Sequence, residues 1–325
     1  MTNLPPTLAA LRTRQCGLFT RRQAVDAGCT EREVKTRTGA RGDWATVRRG
    51  VYTLRTTWDH GTPRTRYVMR VHAAVLAART PVLPSHASAA ALLGMPLRPR
   101  WTELVHVTRP GVGGGRVEGG VSHHVAAYDE RDVTLVGDVP VLGLARTAAD
   151  IGRELSLEDA VIAADAALRL GSTREELWAA TERMWSWAGI TTVRAALEIA
   201  DGGAENPGES LLRLAALEAD IGPVETQFHL TDGHRNAYTD LRAGRLLMEF
   251  DGEVKYLGRD AGGVADRPAH EVVIEEKKRE DWCRSQDGGY GMFRAVWSEV
   301  LGRRRSDTAR RVRAAYVQAE RLYGG

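Results

Sequence analysis

The segment that most constrains this chain is residues 240–255, where acidic side chains flank a short apolar run. That run, residues 246–250, has the length and composition of a core strand. Burying a charged side chain is costly unless it is paired or binds a metal, so acids in such a place indicate a site. The residues of this segment that we single out are the acids Asp240, Glu249 and Asp251 and the lysine Lys255.

Convergent carboxylates that hold a divalent cation beside a lysine are what metal-assisted phosphodiester hydrolysis requires. We expect Asp240 and Glu249 to be the leading ligands of Mg²⁺, or of Mn²⁺ in its place. Asp251 is a candidate third ligand, because residues i and i+2 of a strand share a face. Glu209, on the preceding helix, would complete the ligand set, and Lys255 would orient a water or stabilise developing charge. Together these residues form the predicted catalytic site.

Each of these residues also has a structural interpretation. Glu209 follows Asn206 at the spacing of a helix capping box and would serve as its partner. Asp251 is followed by glycine, a pairing typical of turns. Lys255 would be a solvated loop residue, and the other two acids would lie at the surface where strands end. The sequence leaves both interpretations open.

At 325 residues the chain exceeds what one hydrophobic core ordinarily supports, so we expect two or three domains in a mixed α+β protein. Changes in pattern place them at residues 1–60, 61–200 and 201–325. No apolar stretch is long enough to span a membrane, and the N-terminus lacks the apolar core of a signal peptide. Three scattered cysteines argue against a disulfide scaffold. A cytoplasmic protein in a reducing compartment is therefore expected.

Residues 1–60 predict a winged helix-turn-helix, since short helices precede a β-hairpin with a basic turn. Capping boxes open two of the helices, at Thr20 and Thr30. The segment holds eleven Arg and Lys against five Asp and Glu, an imbalance that favours a polyanionic partner. An alternative is a solvated basic face on a domain that binds protein. The predicted DNA contacts are Arg32, Lys35 and Arg37 on the second helix of the motif, and Arg48 and Arg49 in the wing.

Residues 61–200 predict an α+β middle domain, with strands between residues 104 and 144 and alanine-rich helices after them. The glycine-rich stretch 111–120 lacks the Gly-Lys-Ser/Thr of a phosphate loop and predicts a hairpin loop. The histidines at positions 86, 106, 123 and 124 fit no standard metal-binding spacing. Adjacent residues of a strand face opposite ways, so the last two would diverge. We interpret all of them as structural or surface residues.

Residues 201–325 predict a helix, three strands, a helix and a strand, the order of a mixed α/β unit whose strands end near Asp240 and Glu249. The motifs, in order, are Pro-Gly-Glu-Ser at 207–210, Thr-Asp-Leu at 239–241, Met-Glu-Phe-Asp-Gly at 248–252, Glu-Glu-Lys-Lys-Arg at 275–279 and Phe-Arg-Ala-Val-Trp at 293–297. This series resembles the DUF559/very-short-patch-repair-like branch of the PD-(D/E)XK nuclease superfamily. The resemblance implies a restriction-endonuclease-like α/β fold with Asp240 and Glu249 as metal ligands.

This chain departs from the superfamily signature in one respect. Residues 249–251 are Glu-Phe-Asp where the signature has Glu-x-Lys. The role of the lysine therefore moves to Lys255 or is lost. Nuclease activity therefore depends on whether Lys255 takes over the role of the signature lysine.

The first two segments carry a second set of motifs. These are Gly-Leu-Phe-Thr-Arg-Arg-Gln-Ala at 17–24, Val-Arg-Arg-Gly-Val-Tyr at 47–52, Ser-His-Ala-Ser-Ala-Ala at 85–90 and Leu-Ala-Arg-Thr-Ala-Ala-Asp at 144–150. They resemble the winged-helix N-terminal domain of AbiEi-type antitoxins and the region that follows it. The resemblance implies DNA binding, often autoregulatory, in a toxin–antitoxin or phage-defence setting. Candidate partners are then double-stranded DNA, a cognate toxin and a second copy of the chain.

Two functions follow as hypotheses. The preferred one is a DNA-binding protein that locates DNA with its winged helix and cuts it with a Mg²⁺-dependent endonuclease domain. The alternative is a non-enzymatic antitoxin or transcriptional repressor with a degenerate nuclease fold. Loss of the signature lysine favours the alternative, whereas the survival of Asp240, Glu249 and Asp251 favours the enzyme.

Overall fold

A computed structural model describes residues 4–111, 114–252 and 269–324 of the chain. Lys255 lies outside these residues, so its role stays a prediction. Within them the protein has a mixed α+β fold, as predicted. None of the described helices combines the length and the apolar character that crossing a membrane requires.

The elements follow one another along the chain without long gaps among the described residues. The first are α1 (Pro6–Arg14), β1 (Leu18–Thr20), α2 (Arg21–Asp26), α3 (Glu31–Thr38), β2 (Trp44–Arg48), β3 (Val51–Leu54) and α4 (Arg55–Asp59). Next come α5 (Pro63–Ala77), β4 (Leu83–Pro84), α6 (His86–Leu92), β5 (Val105–Arg109), β6 (Arg116–Glu118), β7 (Val121–Val125), β8 (Val133–Val136), β9 (Val139–Leu142) and α7 (Leu144–Glu154). The last are α8 (Leu157–Arg169), α9 (Arg174–Glu182), α10 (Ile190–Ile199), α11 (Pro207–Glu218), β10 (Glu225–Thr231), β11 (Asn236–Ala243), β12 (Leu246–Asp251), α12 (Ala269–Ser285), β13 (Gly291–Val296), α13 (Trp297–Val300) and α14 (Arg304–Tyr323).

The chain forms two compact units, Met1–Glu154 with Glu175–Ile190, and Leu155–Arg174 with Thr191–Gly325. This division differs from the predicted boundaries after residues 60 and 200. The reason is a shared core, in which Leu18 and Val51 pack with Met69 and Ala73 of α5. Residues 1–60 therefore belong to the same compact unit as most of the segment predicted as a middle domain.

Residues 18–54 form two capped helices and a three-stranded antiparallel sheet in the order β1-β3-β2. Both predicted capping boxes are confirmed. At the first, the Gln23 backbone N–H donates to Thr20 Oγ1 at 3.1 Å, and the Thr20 N–H donates to Gln23 Oε1 at 2.8 Å. The rings of Phe19 and Trp44 meet edge to face behind the helices, with centroids 4.6 Å apart. Val34 belongs to the same core, so the inner face of α3 is held against the sheet.

The rest of the first unit includes a four-stranded sheet in the order β4-β5-β7-β6. β5 and β7 pair in parallel, although β6 lies between them in sequence. Their register places Thr108 opposite His124, so His106, two residues earlier on β5, faces the same way as His124. The stretch predicted as one glycine loop contains β6, and Gly119 and Gly120 turn the chain into β7 with positive φ. The parallel pairing thus brings side chains from separate strands to one face.

The second unit contains a four-stranded sheet in the order β10-β11-β12-β13, in which β12 and β13 are parallel and the other pairs antiparallel. The order of its elements, α11, three strands, α12 and β13, is the predicted one. Asp240 lies inside β11 rather than at its end, because that strand continues to Ala243 before the chain turns at Gly244. Gly208 is needed at the start of α11, since an added Cβ would lie 2.1 Å from the Phe250 ring.

A buried ion pair connects three helices of the second unit. Asp165 of α8 accepts two hydrogen bonds from Arg213 of α11, at 2.8 and 2.9 Å. The two side chains are 1% and 5% exposed. Arg213 also donates to the Ile199 carbonyl at the end of α10. Burial raises the pKa of Asp165, and the Arg213 guanidinium opposes that rise.

Replacing Arg213 with alanine is expected to destabilise the protein by about 3–5 kcal/mol, because an unpaired carboxylate would stay buried. In the variant the folded-state pKa of Asp165 rises further above its unfolded value. The stability of the variant then falls as pH rises from the unfolded-state pKa of Asp165 to its higher folded-state pKa. The loss of stability should therefore be larger at neutral than at acid pH. Urea unfolding at several pH values measures it, with Arg169→Ala, an exposed position of α8, as the control. Equal losses in the two variants would contradict the prediction.

Candidate functional site

Helix α3 presents two of the predicted DNA contacts to solvent. Arg32 and Lys35 are exposed and, at i and i+3, lie on the same side of the helix. Val34 turns inward and is 3% exposed. The two cations border an open groove that Thr38 and Tyr52 also line. Their exposure makes both charged ends accessible to an anionic partner.

The other predicted DNA contacts are placed differently. Arg37 pairs with Asp43 at 3.1 Å and lies over the Trp44 ring, 4.8 Å from its centroid, so it ties α3 to β2. Arg48 donates to a backbone carbonyl of the β6–β7 turn at 2.9 Å. Arg49 is exposed in the turn between β2 and β3. Arg37 and Arg48 therefore support the fold of the first unit, while Arg49 adds to the exposed cations.

Two acidic side chains, Glu31 and Glu33, flank Arg32 in the first turn of α3, and Glu31 borders the same groove. Glu31 pairs with Arg21 on the surface. The Glu33 carboxylate accepts a hydrogen bond from the Thr30 backbone N–H at 2.7 Å, and this bond lowers the pKa of Glu33. Both acids are thus engaged at the beginning of the helix. The accessible positive charge of α3 is therefore carried by Arg32 in its first turn and Lys35 in its second.

The predicted catalytic acids lie along the β11–β12 pair. Asp240 Oδ2 accepts from the Phe250 backbone N–H at 2.6 Å, which holds the Asp240 carboxylate beside β12. Glu249 and Asp251 flank Phe250 on that strand. The Phe250 ring packs against Trp297, with centroids 4.9 Å apart. The acids therefore share one short stretch of the sheet.

Two arginines hold the Glu249 carboxylate, which is 8% exposed as a residue. Arg279 of α12 donates to its Oε1 at 2.8 Å, and Arg294 of β13 lies 3.1 Å from its Oε2. Arg294 also lies 3.4 Å from Glu280. A carboxylate this buried needs a compensating charge, and guanidinium groups supply it here. Both arginines stand in the motifs at 275–279 and 293–297, but no pattern in the sequence indicated that they would pair with Glu249.

Glu209 is buried at the beginning of α11, 5% exposed. Its carboxylate accepts from the Glu205 backbone N–H at 2.6 Å and from the Asn206 side-chain amide. Asn206 Oδ1 in turn accepts from the Glu209 backbone N–H at 3.1 Å. Gln227 Nε2 lies 3.3 Å from the same carboxylate. These contacts favour the structural interpretation, in which Glu209 closes the start of the helix.

Three of the four histidines gather in the first unit. His86, His106 and His124 offer ligand atoms that all lie within 4.8 Å of one another. Among the side chains that the structure describes, the acids of the β11–β12 pair form no group of this kind. His123 lies opposite Arg116 on β6, on the other face of the strand from His124, as strand alternation predicts. The interpretation of the histidines as structural or surface residues did not anticipate this cluster, because the cluster depends on the parallel pairing of β5 and β7.

The charge state of the histidine cluster follows from its surroundings. Burial lowers the pKa of His106 to about 3, with His86 and His124 acting in the same direction. Glu154 lies against the cluster, 3.2 Å from His86 Nε2 and from His124 Nδ1. Burial would raise the pKa of Glu154, but the two histidines lower it well below its ordinary value. At neutral pH the group therefore combines a neutral His106 with a carboxylate.

Comparison with known proteins gives no family for this chain. No family model matches it, and no curated protein matches it either. The resemblances in its motifs therefore stay predictions. The function is argued below from the residues that the structure places together.

Replacing Glu209 with alanine is expected to cost about 1–3 kcal/mol of stability, because the Glu205 N–H and the Asn206 amide lose their buried acceptor. Chemical denaturation measures the loss, and Glu198→Ala on the exposed side of α10 is the matched control. A stable Glu209→Ala variant that loses a metal-dependent activity would contradict the capping role and support a ligand role.

Proposed function

We propose that this protein binds double-stranded DNA through α3 and the β2–β3 turn and acts as a non-enzymatic repressor or antitoxin. The observation that carries the proposal is the exposed pair Arg32 and Lys35 on a helix whose inner face is packed against a sheet. In a winged helix-turn-helix, the second helix enters the major groove and the wing lies along the backbone. In chain order, α3 follows α2, and Arg49 lies in the turn between β2 and β3.

The chemistry of these side chains suits a nucleic acid. The guanidinium of Arg32 can contact phosphate or the O6 and N7 atoms of guanine with two parallel hydrogen bonds. The ammonium of Lys35 suits a phosphate oxygen. Arg49, exposed at the turn of the hairpin, would add a backbone contact. Arg37 and Arg48 would act indirectly, by fixing α3 and the hairpin from inside the unit.

The second unit supports binding rather than cutting. Two guanidinium groups already compensate the charge of Glu249. Mg²⁺ prefers several oxygen ligands that converge on one point, and the acids of the β11–β12 pair do not form such a group among the described side chains. The residues present therefore do not fit a magnesium cage. This agrees with the missing lysine of the Glu-x-Lys signature.

Substituting both Arg32 and Lys35 with alanine should weaken binding to a selected DNA duplex by at least about tenfold, given roughly 1–3 kcal/mol per good base contact. The duplex is first selected from a random library with the full chain, and affinity is then measured by fluorescence anisotropy. Arg169→Ala/Arg321→Ala removes the same charge from exposed positions of the second unit and serves as the control. Equal weakening in the two double variants would contradict an interface at α3.

A second candidate function, metal-dependent cleavage of DNA, is favoured by one contact. The hydrogen bond from the Phe250 N–H to Asp240 brings that acid beside Glu249 and Asp251. If the site cuts, plasmid DNA incubated with Mg²⁺ or Mn²⁺ will be nicked by the parent chain and not by Asp240→Asn or with EDTA. Cutting that Asp240→Asn abolishes, while DNA affinity persists, would replace the non-enzymatic proposal.

A further inference from the structure

The fold brings three histidines of the first unit together from three elements. His106 and His124 lie on one face of the parallel strands β5 and β7. His86 is the first residue of α6, which packs on β5. The backbone N–H of His106 donates to Ser88 Oγ at 2.8 Å, which fastens α6 to the strand. The cluster is therefore fixed by the sheet and by a side chain of the helix.

The rings of the cluster lie close and nearly parallel. Those of His86 and His124 have centroids 3.9 Å apart, and those of His106 and His124 are 5.2 Å apart. His106 Nδ1 lies 3.0 Å from His124 Nε2. A transition-metal ion binds imidazoles through their ring nitrogens, and those of the three histidines lie close together here.

Glu154, the last residue of α7, supplies a carboxylate to the same place. One oxygen, Oε1, lies 3.2 Å from both His86 Nε2 and His124 Nδ1. The Glu154 side chain is 40% exposed, whereas that of His86 is 6% exposed. The group thus has a buried side made of imidazoles and an open side made of a carboxylate, through which an ion can enter.

His86 shows two signs of local strain. Its backbone φ is +49°, a left-handed conformation that residues other than glycine adopt infrequently. Its buried Nε2 makes no hydrogen bond of acceptable geometry, although Glu154 Oε1 is near. Its Nδ1 is engaged by Ser85 Oγ at 3.0 Å, which orients the ring. Strained residues with unsatisfied polar atoms are typical of functional sites, and an ion between the ring and the carboxylate would satisfy Nε2.

We propose that His86, His106, His124 and Glu154 bind one divalent transition-metal ion of the Zn²⁺ type. Imidazole nitrogens with a carboxylate are ligands that Zn²⁺, Co²⁺ and Ni²⁺ accept, whereas Mg²⁺ prefers oxygen. The donor atoms of the three histidines lie within 4.8 Å of one another, and Glu154 Oε1 lies 3.2 Å from His86 Nε2 and from His124 Nδ1. Because the rings are stacked, their side chains must rotate to direct the nitrogens at one tetrahedral ion. The ion would cross-link β5, β7, α6 and α7 in the first unit. The proposed DNA interface does not depend on it.

Titrating the purified full chain with Co²⁺ tests the proposal, since tetrahedral Co²⁺ absorbs visible light. We expect one equivalent of Co²⁺ to give ligand-field bands that Zn²⁺ abolishes and excess Mg²⁺ does not. Losing a residue that only hydrogen-bonds to a metal ligand lowers metal affinity by roughly 10- to 100-fold. Losing a ligand costs more, so the Co²⁺ affinity of His124→Gln should fall by more than this. His123→Gln, one residue away on the other face of β7, should bind like the parent.

Two further variants make the result unambiguous. Glu154→Gln alters the open side of the cluster, at a partly exposed position that tolerates the change, and should also weaken Co²⁺ binding. Asp240→Asn/Glu249→Gln alters the second unit and should leave the bands intact. Circular dichroism confirms that each variant is folded. Absence of saturable binding in the parent, or equal binding by folded His124→Gln and His123→Gln, would show a hydrogen-bonded histidine cluster without a metal and overturn the proposal.

Discussion

Within each of the two units, a buried pair between arginine and carboxylate side chains stabilises the fold. In the first unit, Arg146 is 4% exposed and lies between Asp150 at 3.1 Å and Asp132 at 3.4 Å. In the second unit, Arg213 forms an ion pair with the buried carboxylate of Asp165. A buried charge without a partner would cost several kcal/mol, so each pair must form when its unit folds. The Asp165–Arg213 pair joins α8 to α11, whereas Arg146 of α7 pairs with Asp150 of the same helix and with Asp132, just before β8.

The same principle separates the two candidate functions. Glu249 is held by Arg279 and Arg294, so the most buried acid of the β11–β12 pair is already neutralised by the protein itself. On α3 the opposite holds, because Arg32 and Lys35 extend into solvent. Charge that is compensated internally stabilises a fold, whereas accessible charge can recruit a partner. We therefore propose α3 as the surface for a polyanionic partner.

Features encoded by neighbouring residues could be predicted from the sequence, and long-range pairings could not. The capping boxes at Thr20 and Thr30 depend on side chains three residues away and are confirmed. Arg279 lies 30 residues beyond Glu249, and no local sequence pattern predicts that the two side chains form a hydrogen bond. His106 and His124 meet only because β5 and β7 pair in parallel. For the same reason the position of Asp240 inside β11 was missed, since the strand's length depends on its partners.

The central claim, that α3 binds DNA, is tested most directly by the salt dependence of binding. Affinity of the full chain for its selected duplex is measured over a range of salt concentrations. The account predicts a linear fall of log affinity with log salt, and a slope that becomes shallower by about 1 to 2 in Arg32→Ala/Lys35→Ala, as counterion release requires. An unchanged slope in that variant, with unchanged affinity, would contradict the account.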